Sequence, residues 1–120
     1  MTCSGEPVRI SLCHCLECQK RTGSVFAAQA RFARASVSVE GEAARWSRQG
    51  DSGGTATFRF CPTCGSTVYW DLDAAPDFII VATGAFADPG FPPPQVSVYE
   101  ERQHPWALAA GRLSPLEHQF

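Results

Sequence analysis

Short apolar runs separated by glycine and proline dominate the chain and predict strands more often than helices. The sequence holds ten Gly and nine Pro, and the runs between them are too short for most helices. One polar stretch, residues 16–22, predicts a short helix that Gly23 ends. The predicted strands comprise residues 8–12, 25–32, 37–39, 44–47, 55–60, 67–70, 78–83 and 96–99. The pattern therefore predicts a mainly β fold with short helical turns.

The segments between these strands are expected to form surface turns and loops. Residues 50–54 are rich in glycine and predict a flexible turn, and the proline-rich residues 87–94 predict a rigid loop. A short helical segment is expected over residues 107–110, and residues 113–120 are expected to be a loose tail. With 120 residues and 44% hydrophobic content, the chain fits one domain with one packed core, spanning residues 1–120.

Charge and hydropathy narrow the range of partners. Ten Lys and Arg stand against twelve Asp and Glu, which gives a net charge of −2 and no electrostatic case for binding nucleic acid or an acidic membrane surface. No apolar stretch approaches the roughly 20 residues of a membrane span. The opening residues have neither the basic start nor the apolar run of a secretory signal. We therefore expect a cytoplasmic protein whose thiols stay reduced.

Five of the six cysteines are clustered, which in a reducing compartment favours metal binding over disulfides. Cys61 and Cys64 form a C-x-x-C turn between two predicted strands, which is typical of a zinc-ribbon hairpin. Cys13, Cys15 and Cys18 supply three further thiols in C-x-C-x-x-C spacing.

The spacing leaves two arrangements open. In the first, two of the first three cysteines close one structural zinc site together with Cys61 and Cys64, and spacing alone favours this arrangement. Alternatively, the first three hold a zinc ion whose fourth position stays open for catalysis. A closed site and an open site together need seven ligands, so both would fill only if Cys3 and His14 joined Cys61 and Cys64. His14 lies between two ligands on an extended segment and is expected to face the opposite side.

Several longer motifs resemble one known family. The pattern C-H-C-x-x-C-x-x-x-x-G-S-x-F begins at Cys13, F-C-P-x-C-G-S begins at Phe60, and G-x-x-x-D-P begins at Gly84. Their order and separation resemble the glutathione-dependent formaldehyde-activating family, which also includes centromere protein V. The resemblance covers nearly the whole chain. It implies an antiparallel β-tent fold with zinc, and a carbon–sulfur lyase that condenses formaldehyde with glutathione to S-(hydroxymethyl)glutathione.

The resemblance also implies roles for individual residues. Cys13, Cys15 and Cys18 match the family's catalytic-type zinc site, and Cys61 and Cys64 match half of its structural site. Members of the family usually open with a C-x-C-G strand, which this sequence does not show. We therefore expect an open sheet edge at residues 8–12, and with it a possible homodimer.

Two function classes follow, and a third is weaker. The first is the carbon–sulfur lyase, and the second is a non-catalytic binding or structural module that zinc holds together. A sulfoxide reductase would need a cysteine free of metal, and only Cys3 is spare. Arg21, Arg31 and Arg59 are candidates for binding glutathione carboxylates, although each is more often a solvated charge. His104 is expected in a surface turn rather than in a pocket.

Overall fold

Strands are the main secondary structure in the computed structural model, which describes residues 1–50 and 52–107. One α-helix, α1 (Leu16–Thr22), and 3₁₀ turns at Arg34–Ser36, Thr83–Phe86 and Glu100–Arg102 complete the described elements. The mainly β prediction is confirmed. Of the helical segment expected over residues 107–110 only residue 107 is described, and the expected tail at residues 113–120 lies outside the described residues. The strands are β1 (Thr2–Cys3), β2 (Arg9–Cys13), β3 (Ala27–Ala33), β4 (Val37–Ser38), β5 (Ala44–Gln49), β6 (Thr55–Phe60), β7 (Thr67–Leu72), β8 (Phe78–Ala82) and β9 (Val96–Val98).

Seven strands form one sheet in the order β5-β6-β7-β8-β3-β2-β9. Neighbours run antiparallel except for β2 and β9, which are parallel with Ser11 opposite Val96. The sheet is therefore mixed, where the resemblance implied antiparallel sheets. The parallel pair also shows that the expected open edge at residues 8–12 is wrong, because β9 covers β2 on that side. The physical reason for expecting a homodimer is thereby removed.

The two-residue strand β1 pairs with β4 and does not join the main sheet. Thr2 lies opposite Ser38 and Cys3 opposite Val37, so β1 and β4 form a separate two-stranded sheet. Cys3 packs against the buried cluster that includes Ile10. Burial raises the pKa of the Cys3 thiol, and the charge of the N-terminus only partly offsets this.

Strand alternation divides the core between the two faces of the large sheet. One face carries a buried cluster of Ile10, Ala30, Phe32, Ile79 and Val81. The opposite face carries Ala56, Phe58, Trp70 and Ile80. On this second face Phe58 lies directly opposite Trp46 on β5 and Trp70 on β7. Three aromatic side chains thus form a row across three neighbouring strands, which we call the aromatic row.

Both ends of α1 are capped, and its bounds agree with the predicted residues 16–22. At the N-terminus the Cys15 sulfur accepts a hydrogen bond from the Cys18 N–H at 3.3 Å. At the C-terminus Gly23 adopts φ 70°, and its N–H donates to the Gln19 carbonyl at 2.9 Å. A left-handed residue at this position favours glycine. The helix is therefore short because its own sequence ends it.

Candidate metal centre and adjoining cavity

Three cysteine sulfurs converge where β2 gives way to α1. Cys13 ends the strand, Cys15 caps the helix, and Cys18 lies in the first turn of the helix. Their sulfur atoms all lie within 4.8 Å of one another. In residues 1–50 and 52–107, no other group of three or more His, Cys, Asp or Glu ligand atoms converges in this way. The strand-to-helix turn thus produces the cluster that the C-x-C-x-x-C spacing predicts.

The three thiols influence one another's ionisation. A hydrogen bond from the Cys18 side chain lowers the pKa of Cys13, although burial opposes the shift. The same hydrogen bond raises the pKa of Cys18, and burial and the charge on Cys13 raise it further. One thiol therefore ionises at the expense of its neighbour. A soft divalent cation among the sulfurs would remove this competition by stabilising every thiolate, so the donor set fits a metal such as zinc.

His14 lies outside this cluster, as the alternation of the strand predicts. Its side chain is completely buried, with an exposed fraction of 0%. The ring nitrogen Nε2 lies 3.1 Å from the Ser97 hydroxyl on β9, and the ring centroid lies 5.9 Å from that of Phe26. These contacts give His14 a packing role that connects the turn between β2 and α1 to β9.

Cys61 and Cys64 lie in the tight turn between β6 and β7, as the zinc-ribbon pattern predicts. The Cys61 N–H donates to the Ser66 carbonyl at 2.9 Å, and the Gly65 N–H donates to the Cys61 carbonyl at 2.8 Å. Gly65 adopts φ 80°, which its lack of Cβ permits. Hydrogen bonds with Ser66 lower the pKa of the exposed Cys64 thiol. The turn therefore presents two thiols at the surface, and their role as metal ligands remains a prediction.

The two cysteine clusters occupy separate parts of the sheet. Three strands, β7, β8 and β3, lie between β2 and β6 in the sheet. Neither Cys61 nor Cys64 joins the group of converging sulfurs formed by Cys13, Cys15 and Cys18. The arrangement with one zinc shared between the clusters, which the spacing left open, is therefore not supported.

A cavity of about 660 Å³ adjoins the three converging cysteines. Its wall includes all three of these cysteines, together with Phe58 and Trp70 of the aromatic row. Two further lining residues, Arg48 and Tyr99, were not among the residues identified from the sequence. No local motif marks them, because they reach the cavity only through the pairing of β5 with β6 and of β9 with β2. His104 is not among the lining residues; its Nε2 lies 2.9 Å from Gln19 Oε1.

The three arginines proposed for carboxylate binding have different surroundings. Arg59 is paired with Asp71 at 2.7 Å and so is already neutralised. Arg31 stacks over Phe78 with 5.1 Å between guanidinium and ring centroid, and it does not line the cavity. Arg21 lines the cavity and lies over the rings of Phe58 and Trp70. Only Arg21 of the three is therefore available to a ligand in this cavity.

A mainly β protein with three converging thiols beside a cavity belongs to the class of cysteine-rich proteins able to hold a metal ion. A family model described as "Glutathione-dependent formaldehyde-activating enzyme" matches residues 1–102. The chain therefore belongs to this family. No curated protein sequence matches it. No helix among residues 1–50 and 52–107 has the length and apolar content needed to cross a membrane.

Proposed function

We propose that the chain is a zinc-dependent carbon–sulfur lyase that joins formaldehyde to a small thiol such as glutathione. The convergence of Cys13, Cys15 and Cys18 carries the proposal, because a zinc ion held by these three ligands would have its fourth position open to a ligand from the adjoining cavity. The family description supports the reaction class. The six free cysteines fit a reducing compartment such as the cytoplasm.

The proposed reaction forms one carbon–sulfur bond. The thiol of glutathione loses its proton, and its sulfur adds to the carbonyl carbon of formaldehyde. The carbonyl π electrons move to oxygen, which takes up a proton, so the product is S-(hydroxymethyl)glutathione. When bound, zinc would favour the ionised form of the thiols that surround it.

The residues of the chain position the three cysteine sulfurs and shield one side of the cluster from water. The pairing of Cys13 with Ala27 on β3 and Val98 on β9 fixes the first sulfur within the sheet. Cys18 is buried in the first turn of α1, so the protein excludes water from one side of the cluster. A ligand can approach from the cavity, which directs the reacting sulfur toward one side of the three cysteines.

A non-catalytic module is the second candidate, and the length of α1 favours it. A helix of seven residues is too short to be stable on its own. A metal ion held by Cys13, Cys15 and Cys18 would fasten this helix to β2, whether or not it also performed chemistry.

The Cys18→Ser variant tests the enzyme proposal, with Cys3→Ser as the control because Cys3 lies outside both clusters. We expect Cys18→Ser to lose zinc and formaldehyde consumption in the presence of glutathione, while circular dichroism shows that the sheet persists. Cys3→Ser should retain both. If the zinc-loaded parent consumes no formaldehyde with glutathione, the module is the better description. Loss of the whole fold in Cys18→Ser would likewise assign the zinc a structural role.

A further inference from the structure

Arg21 has a buried nitrogen that no described group satisfies. Its Nη2 atom is inaccessible to solvent and has no hydrogen-bond partner. No described carboxylate lies within salt-bridge distance of it, whereas Arg34 and Arg59 both reach Asp71. A buried guanidinium N–H without an acceptor is costly. Arg21 also lines the cavity, so a ligand there could accept from the guanidinium N–H groups that are not buried.

The aromatic row holds this guanidinium in place. Arg21 Cζ lies 4.5 Å from the Trp70 ring centroid and 4.8 Å from that of Phe58. Both distances are within the range of cation–π attraction. Arg48 on β5 lies over the same Phe58 ring at 5.8 Å and also lines the cavity. Two guanidinium groups are therefore supported by one aromatic surface, and stacking leaves the in-plane N–H groups free to donate.

None of the described acidic residues of the cavity wall forms an ion pair with Arg21, although a hydrogen bond from Lys20 and the charges of Lys20 and Arg48 lower the pKa of the Glu17 carboxyl. Glu17 forms an ion pair with Lys20 at 2.9 Å, on the exposed surface of α1. Asp73 Oδ1 accepts the Thr55 N–H at 2.9 Å. Glu101 is exposed. Each carboxylate is thus either engaged elsewhere or in solvent, and none lies within 4.0 Å of an Arg21 nitrogen.

We infer that Arg21, supported by Arg48, forms an anion subsite on the aromatic row that binds a carboxylate of the ligand whose sulfur faces the three cysteines. The position of the sulfur rests on the proposed function, whereas the binding of the carboxylate does not. A planar guanidinium can hold a carboxylate through two parallel N–H donors, which gives orientation as well as affinity.

The test compares two probes that have no free thiol, S-methylglutathione and its diethyl ester, on the zinc-loaded full chain. Titration calorimetry gives both dissociation constants, and tryptophan fluorescence reports contact near Trp70. The parent should bind the free acid roughly 10- to 100-fold more tightly than the ester, the range expected for hydrogen bonds to a charged group. Arg21→Gln should bring this ratio close to one without weakening the ester.

Matched variants control for charge and for folding. Lys20→Gln removes the neighbouring charge of α1, and Lys20 lies outside the cavity wall, so the ratio should be unchanged. Arg48→Gln should lower the ratio partly. Arg45→Gln on the same strand should not, because Arg45 pairs with Arg59 on the opposite face.

Three outcomes would overturn the subsite. In the first, the parent binds the acid and the ester equally well, and in the second it binds neither probe. In the third, the Arg21→Gln variant keeps the full affinity ratio, with or without an equal loss of affinity for both probes. If the parent prefers the acid but consumes no formaldehyde, the proposed lyase activity fails and the subsite stands. Formaldehyde consumption without any preference for the acid would reject the subsite alone.

Discussion

Removing Cys18 and Cys64 singly and together tests whether the two cysteine clusters act independently. The variants are Cys18→Ser, Cys64→Ser and the double substitution. Three strands separate β2 from β6, and neither Cys61 nor Cys64 belongs to the group of converging sulfurs. Separate sites without shared partners usually have additive effects on stability, to within about 0.5 kcal/mol.

A shared metal ion would give a very different result. Metal binding contributes about 10–16 kcal/mol in zinc-finger peptides, and this binding energy is also folding energy. If one ion joined both clusters, the first substitution would remove much of that contribution and the second would find little left to lose. The coupling energy would then be several kcal/mol. The structure therefore predicts a coupling below about 0.5 kcal/mol for this pair.

Urea denaturation at a fixed free zinc concentration, followed by tryptophan fluorescence, gives the four free energies of unfolding. Metal analysis of the same samples gives the zinc content. We expect Cys64→Ser to keep the zinc bound by Cys13, Cys15 and Cys18, and Cys18→Ser to lose it. A coupling energy well above about 1 kcal/mol, or a Cys64→Ser variant without zinc, would refute the separation of the two clusters.

Two further predictions concern stability. Burial alone would raise the pKa of Asp71, but hydrogen bonds and charge from Arg59 and Arg34 lower it overall. The ion pairs therefore contribute fully above the unfolded pKa of about 3.9 and are lost as the pH falls through the lower folded pKa. Asp71→Asn should lower the free energy of unfolding by about 1–3 kcal/mol at pH 7. Urea denaturation at several pH values from 7 to 2 should show the difference in stability between parent and variant shrinking as the pH falls. A difference that stays constant over this range would contradict the assignment. Gly23→Ala should cost about 1–2 kcal/mol, because φ is 70° there and no atom lies near the added methyl group. Gly84→Ala is the control, because this site is equally unobstructed and has no positive φ. This variant should have the same melting temperature as the parent. An equal loss of stability in both variants would show that crowding, and not backbone strain, decides the cost.

Features governed by neighbouring residues could be predicted from the sequence. The bounds of α1 follow from a polar stretch that ends at Gly23, and the turn at Cys61 and Cys64 follows from its C-x-x-C-G spacing. The convergence of Cys13, Cys15 and Cys18 is local in the same sense, since six residues cover a strand end, a cap and one helical turn. Each of these signals acts over fewer than about eight residues.

Features that depend on distant pairing could not be predicted. The error at residues 8–12 shows why, since β9 joins β2 from more than 80 residues away. Gln95 makes this junction specific: its side-chain Oε1 accepts the Ile10 N–H at 3.0 Å, and its own N–H donates to the Ile10 carbonyl at 3.0 Å. A single glutamine within a proline-rich loop carries no recognisable signal for this pairing. Arg48 and Tyr99 could not be predicted for the same reason, because their place beside the cavity depends on strand register.

The segment around β9 also explains how the turn that carries Cys13, Cys15 and Cys18 is held in a defined geometry. The His14 N–H donates to the Val98 carbonyl at 3.1 Å, on the strand that also pairs with Cys13. On α1, the Gln19 side chain donates to the carbonyls of His14 and Arg102 at 2.8 and 3.1 Å. These contacts join β2, α1 and the segment that follows β9, so the three sulfurs are positioned by packing as well as by any bound ion. Positioned ligands lose less conformational entropy when a metal or substrate binds. The segment after β9 therefore belongs to the site, although it supplies none of the converging sulfurs.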